Sequence, residues 1–216
     1  MQGSEIHLFP VVVRKYQIPN HEELNKDLIT LFQGYPASQA NFPEGVLTSR
    51  PDLQNVTGND AMTTILGHFN DALEDYRLAY QLCCDKLEIT LCWFNHAPAR
   101  SGFGHPLHRH PMSYLSAVYY LTEGAPTIFD DPCTPRTYDT LDVWRDDLMK
   151  SELGINEKID AVPGQLILFP SWLKHFSGRQ MDHFERWSMS FNAMPAGRVN
   201  IGPWGMPQLN VEYHCD

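Results

Sequence analysis

Arg186-Trp187-Ser188-Met189-Ser190-Phe191-Asn192 alternates in polarity from end to end. Drawn as a strand, it puts Arg186, Ser188, Ser190 and Asn192 on one face and Trp187, Met189 and Phe191 on the other, because successive strand side chains point to opposite sides. The apolar face can pack on a facing sheet or on helices. The polar face is an odd lining for a β-structure interior unless something polar binds there. An inward Arg186 calls for an anion, since a buried charge without a partner is too costly. A guanidinium beside a hydroxyl suits a carboxylate held bidentately.

Further strand signals surround this segment. Leu87, Ile89, Leu91 and Trp93 alternate, and Ser113–Leu121 is rich in β-branched and aromatic residues. Pro126–Phe129 and Gln165–Phe169 follow, with Gly, Pro and Asp between them. The opening Ile6–Val13 is also β-rich, with Pro10 marking an edge or a boundary. Asn20 reads as the N-cap of a helix to about Phe32, with Glu23 at the capping-box position. A longer helix is expected from Asn59 to about Leu82, burying Met62, Ile65, Leu66, Phe69, Leu73 and Tyr76 at helical spacing. Tyr138–Asp160 is charged and irregular and reads as a loop with a short helix. Helices first and then a run of strands predict an α+β, mainly β, domain: a sandwich or barrel with N-terminal helices packed on one sheet. At 216 residues the whole chain, 1–216, is expected to be one such domain.

Composition narrows the partners. Lys and Arg total 16 against 26 Asp and Glu, a formal charge of −10, so neither nucleic acid nor an anionic membrane is an expected partner. Apolar runs fall short of the ~20 residues of a spanning helix, and no basic and apolar leader opens the chain; a cytoplasmic protein is expected. Five cysteines without a CxxC pair fit a reduced state. Ten histidines invite a search for metal ligands.

That search leads to Gly104-His105-Pro106-Leu107-His108-Arg109-His110-Pro111. On an extended segment, His108 and His110 point to the same side, as two adjacent ligands of one metal must. Arg109 would then point away, to a role in solvent or at a substrate. His175, just after the strand signal Gln165–Phe169, is the expected third ligand. His7, His21, His68, His183 and His214 read as ordinary surface or core histidines, as does His96. His105 reads as a turn residue or as part of the pocket wall.

At these positions the chain resembles the iron(II)- and 2-oxoglutarate-dependent oxygenases, most closely their bacterial and phage group. Leu8-Phe9-Pro10, Trp93-Phe94-Asn95, the run from His108 to Tyr120, Phe129-Asp130-Asp131-Pro132, the run from Pro163 to Trp172, and Arg186 to Asn192 carry the likeness, in that order. The resemblance implies a double-stranded β-helix, the jelly roll also seen in cupins. It implies Fe(II) held by His108, His110 and His175, and 2-oxoglutarate bound to the metal with its far carboxylate on Arg186, assisted by Ser188. It further implies reaction with O2 and oxidation of a substrate C–H bond. Tyr119 or Tyr120 would reach the same pocket, one of them only, with Tyr119 placed among the cosubstrate-binding residues. Asn95, Asn192 and Asp131 would orient the site. Trp93 and Trp172 read as packing, with substrate stacking as the alternative.

One departure stands out. The wider superfamily uses two histidines and a carboxylate. His110 occupies the carboxylate's place, unless Asp130 or Asp131 supplies it. Two rivals accompany this reading. Three histidines also suit a cupin-like zinc hydrolase or a dioxygenase that does not use 2-oxoglutarate. A barrel that binds metal or carboxylate without catalysis is the other. The expected substrate is a small molecule or a protein side chain; the sequence sets neither it nor the oligomeric state.

Overall fold

The computed structural model describes residues 10–38, 45–49, 53, 56–132, 156–202 and 207–214. Along them run β1 (Arg14–Gln17), α1 (His21–Gln33), β2 (Ala37–Ser38), β3 (Leu47–Ser49), α2 (Asp60–Ala79), β4 (Cys84–Ala97) and β5 (Leu115–Tyr120). β6 (Thr127–Asp130), β7 (Asn156–Ile159), β8 (Gln165–Pro170), β9 (His175–Ser177), β10 (Arg186–Val199) and β11 (Leu209–Val211) complete the order. A large antiparallel sheet runs β1-β8-β5-β10-β4-β3-β2, with β11 also paired to β10, and a second sheet runs β7-β6-β9. The expected jelly roll with helices on one sheet is what forms. Among the described residues no helix is long and apolar enough to cross a membrane.

Two apolar layers organise the molecule. On the outer face of the large sheet, Leu28 and Phe32 of α1 and Met62, Ile65, Phe69, Leu73 and Tyr76 of α2 pack on Phe94, Ala117, Tyr119, Met189 and Phe191. Each such large apolar side chain contributes about 1.5–3 kcal/mol by leaving water. Inside, Tyr120, Ile167 and Phe169 of the large sheet meet Phe129 of the small one. The apolar face of β10 therefore turns to the helices, which leaves its polar face between the sheets.

Several local expectations are corrected. Of the expected β-rich segment Ile6–Val13, residues 6–9 lie outside the described residues and 10–13 form no strand; among the described residues the first strand starts at Arg14, pairing with Leu168. Val11 and Val12 stay largely exposed beyond the strand-breaking Pro10. Asn20 has φ 51° and makes no side-chain cap, so the capping box with Glu23 does not form. Asn59 does cap α2, accepting from the Met62 amide at 3.0 Å. That helix stops at Ala79 rather than about Leu82. The expected loop Tyr138–Asp160 lies mostly outside the described residues, and its last part, Asn156–Ile159, is the strand β7.

The consequential correction is in β4. Leu91 of β4 lies opposite Asn192, whereas the next pair is Ile89 with Ala193, so Thr90 is the extra residue of a bulge. Leu87 and Ile89 face the helices, and beyond the bulge Cys92 and Phe94 take over that face. Leu91, Trp93 and Asn95 consequently turn inward. The alternation of Leu87, Ile89, Leu91 and Trp93 on one face ends at the bulge.

Candidate functional site

His108, His110 and His175 converge. Their candidate ligand nitrogens all lie within 4.8 Å of one another, and they form the only such group of histidine, cysteine or acidic side chains among the described residues. The segment 101–114 contains no regular strand. What places His108 is an isolated bridge to His175, closed by two reciprocal backbone hydrogen bonds of 2.9 Å. The His110 amide donates to the Ser171 carbonyl at 3.1 Å, tying the third histidine to the end of β8.

Their ring nitrogens are prepared for a metal. His108 Nδ1 lies 2.7 Å from the Pro106 carbonyl, and His175 Nδ1 lies 3.0 Å from the Leu173 carbonyl. A carbonyl only accepts, so both Nδ1 atoms carry the proton and both Nε2 lone pairs remain for coordination. Burial, reinforced by the neighbouring imidazoles, lowers His110 to about 3. Burial and the charge of His108 lower His175 to about 4, against the bond to Leu173. Both are therefore neutral, the form that binds metal, at physiological pH.

The same cavity, of about 520 Å³, contains Arg186, Ser188, Ser190, Asn192 and Asn95. Arg186 is 3% exposed. Its Nε donates to the Ala125 carbonyl at 2.8 Å and its Nη1 to Ser188 Oγ at 3.1 Å, while its guanidinium sits 5.8 Å over the Tyr120 ring. No carboxylate of the described residues pairs with it. Burial pulls its pKa below the usual guanidinium value. Asn95 Nδ2 donates to Ser190 Oγ at 3.1 Å and its Oδ1 accepts from Thr48. Asn192 Oδ1 accepts from Ser116 Oγ at 2.8 Å. These bonds fix the walls of the cavity.

Three expected placements fail. Tyr119 shares the helix-facing side of β5 with Leu115 and Ala117; its hydroxyl donates to Asn25 Oδ1 at 2.6 Å, away from the cavity. Tyr120 is the tyrosine on the inner side, opposite Ser188 and hydrogen-bonded to Thr127. Asp130 and Asp131 line a different hollow with Val11, Lys15 and Lys158. Phe129 uses the inward position beside His175, so alternation turns Asp130 outward. Trp172 is 52% exposed rather than packed.

Other residues also reach the cavity. Trp93 lies with its ring 5.7 Å from that of His110, and Leu91 and Arg109 also line the space. The bulge at Thr90 hid the first two, and the irregular backbone around His108 released Arg109 from strand parity. His105 lines it as well, its ring 5.9 Å from His108, lowered to about 3 by burial, then by the charge of Arg186. Gln180 is fully buried and holds the Ala125 amide at 3.0 Å, next to the carbonyl that takes Arg186. Gly124 has φ +142°, and a Cβ there would stand 2.8 Å from Gln180 Oε1 and 3.0 Å from Arg186 Cβ, so this turn requires glycine.

Comparison with known proteins agrees with this geometry. No curated protein matches the chain by sequence. A prolyl-4-hydroxylase from Pseudomonas putida is 15% identical, covering 87% of this chain and 94% of its own, with TM-score 0.59. HygX from Streptomyces hygroscopicus, crystallised with nickel and 2-oxoglutarate, is 12% identical over 88% of this chain and 85% of its own, TM-score 0.59. SnoN, a non-heme α-ketoglutarate-dependent epimerase of nogalamycin biosynthesis, is 12% identical over 91% and 80%, TM-score 0.62. At these identities the likeness establishes the fold. The family model described as "Putative 2OG-Fe(II) oxygenase" matches residues 91–192, which include all three histidines and Arg186. The segment 91–192 thus matches the 2OG-Fe(II) oxygenase family model, within a fold shared with solved 2OG-Fe(II) oxygenases.

Proposed function

We propose that the chain is an iron(II)- and 2-oxoglutarate-dependent oxygenase that hydroxylates a substrate C–H bond. The observation that carries this reading is the pairing, in one cavity, of three convergent histidines with a buried Arg186 that no described carboxylate neutralises. A zinc hydrolase accounts for the histidines but does not by itself account for the Arg186-Trp187-Ser188 strand. HygX, with nickel and 2-oxoglutarate bound in the same fold, supports the choice of ligands.

The residues fit the group. Three convergent imidazoles suit a divalent metal of intermediate softness such as Fe(II). His108, His110 and His175 would hold it, and Arg186 with Ser188 would hold the far carboxylate of 2-oxoglutarate. Bound together, iron, 2-oxoglutarate and dioxygen supply an oxidation in which one oxygen atom enters succinate, released with carbon dioxide, and the other enters the substrate as a hydroxyl.

The chain's own residues orient and exclude. The Ala125 carbonyl and Ser188 hold two edges of the guanidinium in place, so its remaining N–H groups meet a carboxylate without reorganisation. Thr127 and Val118 close the walls, and the Pro106 and Leu173 carbonyls fix the imidazole orientations. Without an acidic ligand the site carries one more positive charge than the two-histidine, one-carboxylate arrangement, which strengthens its hold on a dianion.

The test is succinate production by purified protein given Fe(II), ascorbate, oxygen and 2-oxoglutarate, alongside anaerobic titration of the iron-loaded protein with 2-oxoglutarate. Saturable binding and succinate formation, even slow and uncoupled, are expected. Absence of both overturns the reading.

A further inference from the structure

The cavity holds a second arginine that the cosubstrate does not use. Arg109, between two of the histidines, lines the cavity from its exposed side, and among the described residues it makes no hydrogen bond or ion pair. Arg186 lies at the buried end. Among the described residues, those around the two arginines include four histidines and no aspartate or glutamate. In a chain with 26 acidic residues and a formal charge of −10, a cavity whose described lining has two arginines and no carboxylate is a local inversion of sign. Such a field draws anions to the opening and repels them elsewhere. One dianion on Arg186 leaves Arg109 without a counter-charge.

The wall beside Arg109 has a different character. Trp93 and Leu91 both turn into the cavity past the bulge at Thr90, and Leu91 is 44% exposed. An apolar side chain left open to water next to a ring 5.7 Å from His110 is a surface for an apolar body close to the metal position.

We propose that Arg109, Trp93 and Leu91 form the site for the oxidised substrate, a small molecule with a carboxylate attached to an apolar or aromatic body. The carboxylate binds the Arg109 guanidinium, whose planar fork matches it. The apolar body lies on Trp93 and Leu91, which brings its C–H bonds towards the three histidines. This rests on the oxygenase reading and adds the substrate class to it.

The experiment uses the whole protein loaded with nickel(II) and saturated with 2-oxoglutarate, so that nothing turns over and the inner carboxylate site is filled. Binding of 3-phenylpropionate, its neutral amide and 2-phenylethyl phosphate is measured by ligand-observed NMR, at low and high salt. The acid is expected to bind saturably and at least tenfold more tightly than the amide, with the difference shrinking as salt rises. In Arg109→Gln, an exposed position, with folding and nickel content measured alongside, the acid should fall to the level of the amide. Trp93→Leu should weaken acid and amide alike. Equal binding of acid and amide, undiminished binding of the acid by Arg109→Gln, or no saturable binding of the acid overturns the assignment of Arg109 alone. Phosphate binding more than tenfold tighter than carboxylate overturns the carboxylate class. Failure of the wild type to bind nickel or 2-oxoglutarate overturns the oxygenase reading and this one with it.

Discussion

Replacing Arg186 by methionine separates two roles that a buried arginine can play. In the metal-free protein the guanidinium is almost fully enclosed, with one bond to a backbone carbonyl, one to Ser188 and a ring beneath it, and no described carboxylate partner. A structural cation in that position would be missed on removal. A cation that waits for an anion is a burden until the anion arrives, and an apolar side chain of similar length relieves the desolvation it carries. Arg186→Met is therefore expected to change metal-free stability by no more than about 1 kcal/mol, in either direction. Binding of 2-oxoglutarate should respond very differently. Truncating one partner of a buried, hydrogen-bonded charge pair costs about 2–5 kcal/mol, or roughly 30- to 4,000-fold in Kd. Isothermal titration of the nickel-loaded variant with 2-oxoglutarate reads this directly, and urea unfolding of the metal-free forms reads the stability. Affinity within threefold of wild type would refute the anchoring role. A variant that fails to fold would show that Arg186 is structural.

Other perturbations bear on other links. His110→Ala should lower nickel or iron stoichiometry sharply, whereas Asp130→Asn and Asp131→Asn leave it unchanged; metal analysis after dialysis checks both. Tyr119→Phe should cost about 1 kcal/mol of stability, by losing the bond to Asn25, and leave 2-oxoglutarate affinity as it was; a shift in affinity would return Tyr119 to the cavity. His110 and His175, lowered to about 3 and 4, stay neutral in the fold where the unfolded chain protonates near 6.5. Between roughly pH 6.5 and 4 the unfolded state thus binds more protons, so metal-free stability falls as pH drops through that window. A urea midpoint lower at pH 5 than at pH 7.5, with a smaller drop in His110→Asn, is expected; an unchanged midpoint contradicts the buried, neutral assignment.

The parts of the site legible in the sequence are those that strand parity controls without interruption. Arg186, Ser188, Ser190 and Asn192 keep one face because β10 runs regularly through them, and the family match over 91–192 covers the same run. His108 and His110 were found by spacing, although the backbone between them is not a strand. Trp93 and Leu91 were lost at the bulge, since one extra residue reverses the faces of everything after it and leaves no mark in composition. Tyr119 and Tyr120 are adjacent and alike, so only their register, opposite Met189 and Ser188, tells the helix side from the cavity side. The exposed Trp172 and the uncapped Asn20 follow from tertiary placement that local pattern does not encode.

The most direct measurement is a crystal structure of the protein with nickel(II) and 2-oxoglutarate. The account predicts metal bonded to imidazole nitrogens of His108, His110 and His175, with the far carboxylate of 2-oxoglutarate on Arg186 and Ser188. A carboxylate of Asp130 or Asp131 on the metal, or 2-oxoglutarate bound away from Arg186, would contradict it.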